Sequence, residues 1–215
     1  CLALGLKKND YLWTVPNTFV ASANCGLHCG AKIDFIDIDE NTWNISISKL
    51  EKKLKIAKKE KKLPKILIPI HFAGKPSEQK KIKSLSKKYK FSIIEDASHS
   101  LGSKHYGEKV GSCKWSDITI FSFHPVKPIT TGEGGMALTN NAGLYKKLMK
   151  LRNHGITKDI NEMERKEKSK WYYEQQLLGF NFRMNDMEAA LGLSQLNRLK
   201  YFIKKRNLIA KKYFN

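Results

Sequence analysis

The chain is poor in several things that mark specialised proteins. Four cysteines in 215 residues, at positions 1, 25, 29 and 113, make no dense framework of the kind that staples small secreted domains, and suit a reducing cytoplasm. Cys25 and Cys29, with His28 between them, lack the second short pair that a structural zinc site usually takes. Both thiols are expected to face a core from a helix. No apolar stretch approaches the ~20 residues that span a bilayer, so no membrane is expected as a partner. The first residues, Cys1-Leu-Ala-Leu-Gly-Leu-Lys-Lys, have neither a charged head nor a cleavage site and do not read as a signal peptide. They look like the end of a helix and lack an initiating methionine, so a fragment is expected. Internal repeats and low-complexity linkers are also missing.

Acidic residues are scarce as well. Twenty Asp and Glu stand against 40 Lys and Arg, leaving a formal charge of +20, enough to raise nucleic acid as a partner. The lysines are nevertheless spread over several predicted helices. They are densest from 49 to 65, where Leu50, Leu54 and Ala57 keep helical spacing among them. That pattern predicts an amphipathic helix with one wet face. With no zinc finger and no RNP-type aromatic motif, nucleic-acid binding is not expected.

What the chain does have is an apolar content of 41% and a mean hydropathy of −0.48, ordinary for one large globular domain. Short β-rich runs alternate with helical segments, the signature of a layered α/β domain. Strands are predicted at 11–15, 32–38, 65–70, 91–95, 117–121 and 136–139. Helices are predicted at 18–30, 49–61, 77–88, 142–153 and 186–214. Ser48-Lys-Leu-Glu51 reads as a capping box, and Pro76 as a first-turn proline. From 154 to 173 the sequence is first highly charged and then aromatic, a surface excursion. In the last helix Met187, Ala190, Leu191, Leu193, Leu196 and Leu199 are the apolar members.

The chemistry is concentrated in two stretches, Glu95-Asp-Ala-Ser-His99 and Phe121-Ser-Phe-His-Pro-Val-Lys127, the second running into Gly132-Glu-Gly-Gly135. A carboxylate closes one apolar run and a lysine lies just past the next. Pyridoxal phosphate (PLP) needs such a pair: an amine to hold its aldehyde, and a buried acid to keep its ring nitrogen protonated. Lys127 is the candidate amine, because its flanks are apolar or rigid where the other lysines sit on polar helices. Freed by substrate, it would also serve as the base that moves a proton. Asp96 ends a strand, where open α/β sheets place ligand contacts, and would pair with the pyridinium. His99 is a candidate for the cofactor's phenolic oxygen or ring face, and Ser122 for its phosphate. Gly132-Glu-Gly-Gly135 has the spacing of no phosphate loop and reads as a tight turn.

In this order the motifs resemble the sugar aminotransferases of the DegT/DnrJ/EryC1/StrS family, which are PLP enzymes of fold type I. The resemblance runs through Trp13-Thr-Val-Pro-Asn-Thr-Phe19-Val-Ala-Ser-Ala-Asn24, Phe35-Ile-Asp37-Ile-Asp39, Ile70-His-Phe-Ala-Gly74, Glu95-Asp-Ala-Ser-His99, Phe121-Ser-Phe-His-Pro-Val-Lys127, Gly132-Glu-Gly-Gly135, Arg152-Asn-His-Gly155 and Gly179-Phe-Asn-Phe-Arg183. It implies a three-layer α/β/α large domain with a mostly parallel mixed sheet over residues 1–215. The family's Gly-Thr/Ser-Ala phosphate segment would precede Cys1, and its small domain would follow Asn215. It further implies that Lys127 holds the cofactor, Asp96 partners the pyridine nitrogen and His99 lies beside the ring oxygen. Phe19 would stack on the ring and Ser122 bind phosphate. Asn181 would reach the phosphate of a neighbouring subunit, giving a homodimer with shared sites.

Some relatives carry histidine in place of the lysine and deoxygenate; Lys127 implies transamination. Asn24-Cys25, Pro125-Val-Lys-Pro-Ile-Thr-Thr131, Arg152-Asn-His-Gly-Ile-Thr-Lys158 and Trp171-Tyr-Tyr-Glu-Gln-Gln176 resemble the branch serving pseudaminic acid synthesis. Its substrates are L-glutamate and a UDP-linked 4-keto-6-deoxy-N-acetylhexosamine. The alternatives are another nucleotide-linked 4-keto sugar, of the bacillosamine or perosamine type, and a catalytically incomplete fragment.

Overall fold

Six strands form one sheet whose side chains are claimed alternately by two cores. In the computed structural model, which describes residues 1–166, 169 and 171–213, these strands are β1 (Tyr11–Thr14), β2 (Lys32–Phe35), β3 (Ile66–Leu67), β4 (Ser92–Asp96), β7 (Ile118–Ser122) and β8 (Gly135–Leu138), with two short strands, β5 (Lys104–His105) and β6 (Glu108–Lys109), between β4 and β7. The spatial order is β2-β1-β3-β4-β7-β8, parallel throughout except for β8, which pairs antiparallel with β7.

The helices are α1 (Ala21–Leu27), α2 (Ile47–Glu60), α3 (Gln79–Tyr89), α4 (Ala142–Arg152), α5 (Asp186–Asn197) and α6 (Leu199–Tyr213). Trp13, Leu67 and Ile93 face one layer, packed with Leu50, Leu54 and Ala57 of α2 and with Ile82 and Leu85 of α3. Their neighbours Leu12, Ile66, Ile68 and Ile94 face the other, against Cys25 of α1 and Leu144 and Leu148 of α4. Successive strand residues point to opposite faces, so a strand buried on both sides reads as a continuous apolar run. The result is the expected three-layer α/β/α sandwich. Each buried leucine contributes roughly 1.5–3 kcal/mol.

Several boundaries differ from expectation for local reasons. Helix α2 starts at Ile47, capped by Ser46, whose hydroxyl accepts from the Lys49 N–H; Ser48 therefore lies inside the helix and forms no capping box with Glu51. Pro76 precedes the Glu78 cap of α3 instead of occupying its first turn. The segment 186–213 is two helices broken at Arg198, a backbone in the bridge region (φ −96, ψ −2). Neither glycine nor proline marks the break. It turns Leu199 and Phe202 onto a third core with Ala97, Val110, Phe121, Phe123 and Ile129, and the Arg198 guanidinium covers the Phe202 ring. Phe214, like 167, 168 and 170 of the charged stretch, lies outside the described residues. Within the excursion a two-stranded ladder forms between β9 (Ile156–Thr157) and β10 (Glu174–Gln175). The β5–β6 hairpin was not legible; it turns on Tyr106 and Gly107, both at positive φ.

Candidate active site

The carboxyl ends of β1, β3, β4 and β7 meet where the chain reverses its winding. From β1 it crosses by α1 to β2 on one side, and then by α2 to β3 on the other. Such a switch point leaves a crevice outside the strand ends.

Asp96 is the last residue of β4. Its main chain is held to the segment after β3, the N–H donating to Pro69 O at 3.0 Å and the carbonyl accepting from His71 N at 3.0 Å. Its carboxylate accepts from Ser22 Oγ at 2.7 Å, Ser98 Oγ at 2.6 Å and Ser98 N at 3.1 Å. Thr18 Oγ1 donates to Ser22 Oγ at 3.0 Å, so the serine is itself oriented. A carboxylate has about four lone-pair positions, which leaves one free to accept a ring N–H. Ser22 and Ser98 were not among the residues singled out from sequence. Ser98 was readable as an Asp-x-Ser turn; Ser22 was not, because its contact with Asp96 spans 74 positions.

Ser122 ends β7, where Asp96 lies opposite Ile120 in register. Its hydroxyl accepts from His124 N at 3.4 Å. Lys127 follows in a turn closed by its own N–H to His124 O at 2.9 Å, and its carbonyl is held by Arg206 of α6 at 3.3 Å. Its side chain is half-buried. His99 lies near both charges. Burial lowers its pKa first, the Lys127 ammonium lowers it further, and Asp96 opposes them. Asp96, His99 and Lys127 thus lie within electrostatic reach of one another, and Ser122 ends the strand paired with β4. Gly74, at φ +87, keeps the loop close to His99, whose carbonyl would sit 3.0 Å from an added Cβ.

The glycine turn has a steric reason. A Cβ on Gly134 would meet Thr131 Oγ1 at 2.4 Å, and one on Gly135 would meet the Phe121 carbonyl at 2.8 Å. The turn leads directly into β8, as read from sequence.

Phe19 meets this cluster through its backbone, its carbonyl accepting the Ser22 N–H at 3.1 Å. Phe19 precedes α1 and is 77% exposed. Asn181 is exposed in a bridge to Asn153, flanked by Phe180 and Phe182, whose rings stack at 4.8 Å. Cys25 and Cys29 are half-buried against the second core, with burial pushing both thiols up. No group of three metal-ligating side chains occurs among the described residues. No helix among them is long and apolar enough to cross a membrane.

The donor set fits PLP: a carboxylate with one acceptor position left, an amine beside it, and a strand-end hydroxyl. Comparison with known proteins agrees. The UDP-4-amino-4,6-dideoxy-N-acetyl-beta-L-altrosamine transaminase of Campylobacter jejuni is 44% identical over 211 residues, covering 98% of this chain and 52% of that protein. Helicobacter pylori PseC, an aminotransferase involved in the biosynthesis of pseudoaminic acid, matches with a TM-score of 0.84 and 35% identity over 96% of this chain and 51% of its own. The PLP-form of Spr1654 from Streptococcus pneumoniae matches with a TM-score of 0.81 and 28% identity, over 99% and 55%. The chain spans about half the length of these relatives. The model of the DegT/DnrJ/EryC1/StrS aminotransferase family matches residues 1–215, and the chain belongs to that family.

Proposed function

We propose that the protein is a PLP-dependent aminotransferase that moves the amino group of L-glutamate to C4 of a UDP-linked 4-keto-6-deoxy-N-acetylhexosamine in pseudaminic acid biosynthesis. The observation that carries the chemistry is the oriented Asp96 carboxylate at the end of β4, one strand from the turn that bears Lys127. The choice of sugar rests on the likeness to the altrosamine transaminase and PseC.

PLP when bound supplies an electron sink conjugated to the substrate carbon. The chain's residues do the rest. Asp96 would accept the ring N–H at the lone-pair position that its three present donors leave open. Lys127 Nζ would hold the cofactor between turnovers and, once displaced, would be the base that takes the proton from the substrate α-carbon. His99, kept neutral by burial and by Lys127, offers a hydrogen bond to the ring oxygen. Ser122 binds phosphate, and Phe19 covers a ring face. With the 4-keto sugar the same proton path runs in reverse.

Asn181 is assigned to the phosphate of a second copy, which makes the working form a homodimer with shared sites. Support comes from its exposure and from the unburied apolar members of α5, Met187, Leu191, Leu193 and Leu196. Residues 1–215 are then most of the PLP-binding large domain.

Titration with PLP followed by L-glutamate tests the chemistry. A visible absorbance band that needs Lys127 and is bleached by glutamate supports the assignment. Lys127→Ala should lower glutamate-dependent amination by at least ~10²-fold, the span of a lost acid–base group; near-normal turnover in that variant sinks it. A panel of UDP- and GDP-linked 4-keto sugars tests the substrate. Preference for a bacillosamine- or perosamine-type sugar would keep the chemistry and replace the pathway.

A further inference from the structure

Glu95 and Asp96 are consecutive in β4, so their side chains leave opposite faces of the sheet. Asp96 meets Ser22 beside α1. Glu95 points to α3 and is 2% exposed. Around it a hydrogen-bonded chain joins four parts of the fold. Thr119 of β7 donates to Glu95 Oε2 at 2.8 Å, and the Gln79 amide of α3 meets Oε1. That amide also faces His71 Nε2 at 3.4 Å, and His71 Nδ1 accepts the Ser77 backbone N–H at 3.2 Å.

The contacts of His71 constrain the donors and acceptors along this chain. A backbone N–H can only donate, so Nδ1 of His71 is an acceptor. Burial holds the His71 pKa down to about 4, so the ring is neutral and its proton sits on Nε2. That N–H faces the amide of Gln79. The amide turns its NH2 toward both His71 and Glu95, while its Oε1 is buried with no hydrogen-bond partner. A half-turn of the amide exchanges oxygen and nitrogen in nearly the same space. The oxygen then accepts from His71 Nε2–H, but it also faces Glu95 Oε1. Two bare oxygens repel; a proton on Glu95 turns that contact into a hydrogen bond.

We infer that Glu95 is a neutral carboxylic acid in the folded protein, donating to Gln79 Oε1, and that the uncharged chain Glu95–Gln79–His71 positions Asp96 from the far face of the sheet. Burial, the leading influence, raises the Glu95 carboxyl above its ordinary value, against hydrogen bonds from Thr119, Gln79 and Ser116 and the charge of Lys83, which lower it. Of the groups facing it, Thr119, Ser116 and Cys113 are uncharged, and Lys83 is engaged by Asp117 at 3.6 Å. His71 faces Asp96 and His105. The positioning runs through the main chain: His71 N–H holds the Asp96 carbonyl, and Glu95 anchors the preceding residue. A neutral Glu95 also leaves Asp96 without a like charge beside it. The role toward Asp96 rests on the PLP reading; the protonation of Glu95 does not.

Infrared difference spectra of the purified protein against Glu95→Gln, at neutral pH and without cofactor, test the protonation. The expected result is a protonated-carboxyl C=O band that the substitution removes. Loss of a carboxylate pair instead overturns the inference. Should Glu95→Gln not fold, histidine 15N NMR of the unsubstituted protein decides the same point. His71 is expected as the Nε2–H tautomer with no titration over roughly pH 5–8, and an Nδ1–H tautomer or a titration there overturns it. Positioning is read from the pH midpoint of the bound cofactor's visible band. That midpoint should stay put in Glu95→Gln and move in Gln79→Leu; an unmoved midpoint in Gln79→Leu refutes the role. Failure of every form to bind PLP would strike the cofactor reading and leave the infrared result standing.

Discussion

Leu50 and Leu54 in α2 are fully buried, whereas Leu193 in α5 is 66% exposed and Met187 82%. Both helices have good caps. Ser46 caps α2, and Asn185 and Glu188 cap each other's backbone at α5, at 2.9 and 3.0 Å. The difference lies in what they meet: α2 packs on Trp13 of β1 and Leu67 of β3, whereas α5 buries none of its residues. Local sequence decides that a helix forms and which face is apolar. Whether that face is covered depends on a partner element, within the chain or on a second copy.

Substitutions should separate the two regions sharply. Leu54→Ala is expected to cost about 2–5 kcal/mol, because its site is walled by strands and helices that cannot collapse into the gap; denaturant unfolding measures it. Near-native stability would mean that the α2 layer is loosely held. A pH series probes the same interior. The folded pKa of His71 is about 4 against an ordinary 6.5, so the unfolded chain binds that proton more readily. Stability present above pH 6.5 should be lost as pH falls toward 4, by on the order of 3 kcal/mol. Glu95 acts with the opposite sign, its contribution being present at acid pH and fading as pH rises through its raised folded pKa. His71→Gln should flatten the acid limb; an unchanged limb would place the titrating group elsewhere.

Smaller effects come next. Ser98→Ala removes the hydroxyl, one of the three hydrogen-bond donors to Asp96, and keeps the backbone N–H. It should cost about 1 kcal/mol in stability and weaken PLP binding more than it lowers the melting point. An equal loss in both would make the serine structural only. The least effect is expected for Leu193→Ser in dilute protein, within about 0.5 kcal/mol. The same change should raise the concentration at which a dimer forms, read by sedimentation. A large loss of monomer stability would show that α5 is covered within the chain.

The fold was largely legible because its strands are apolar runs and its helices amphipathic, and the two periods differ. The candidate site was legible where its residues are close in sequence, at Asp96 and His99 and at Ser122 and Lys127. It was illegible where the contact is long-range. Ser22 reaches Asp96 across α1, and Gln79 reaches Glu95 across α3; neither side chain is unusual in its own stretch. The break at Arg198 escaped for a similar reason, since packing of Leu199 and Phe202 on the third core bends the chain with no breaker residue.

By itself the sequence determined the alternation of strands and helices, the α/β class and the family. Those rest on hydrophobic period and on motifs a few residues long. The tertiary structure alone decided which face of the sheet Glu95 and Asp96 each occupy, which serines orient the carboxylate, and where His71 and Gln79 lie. Those depend on crossovers that bring residues tens of positions apart within 3 Å, and nothing local in a sequence records such a distance.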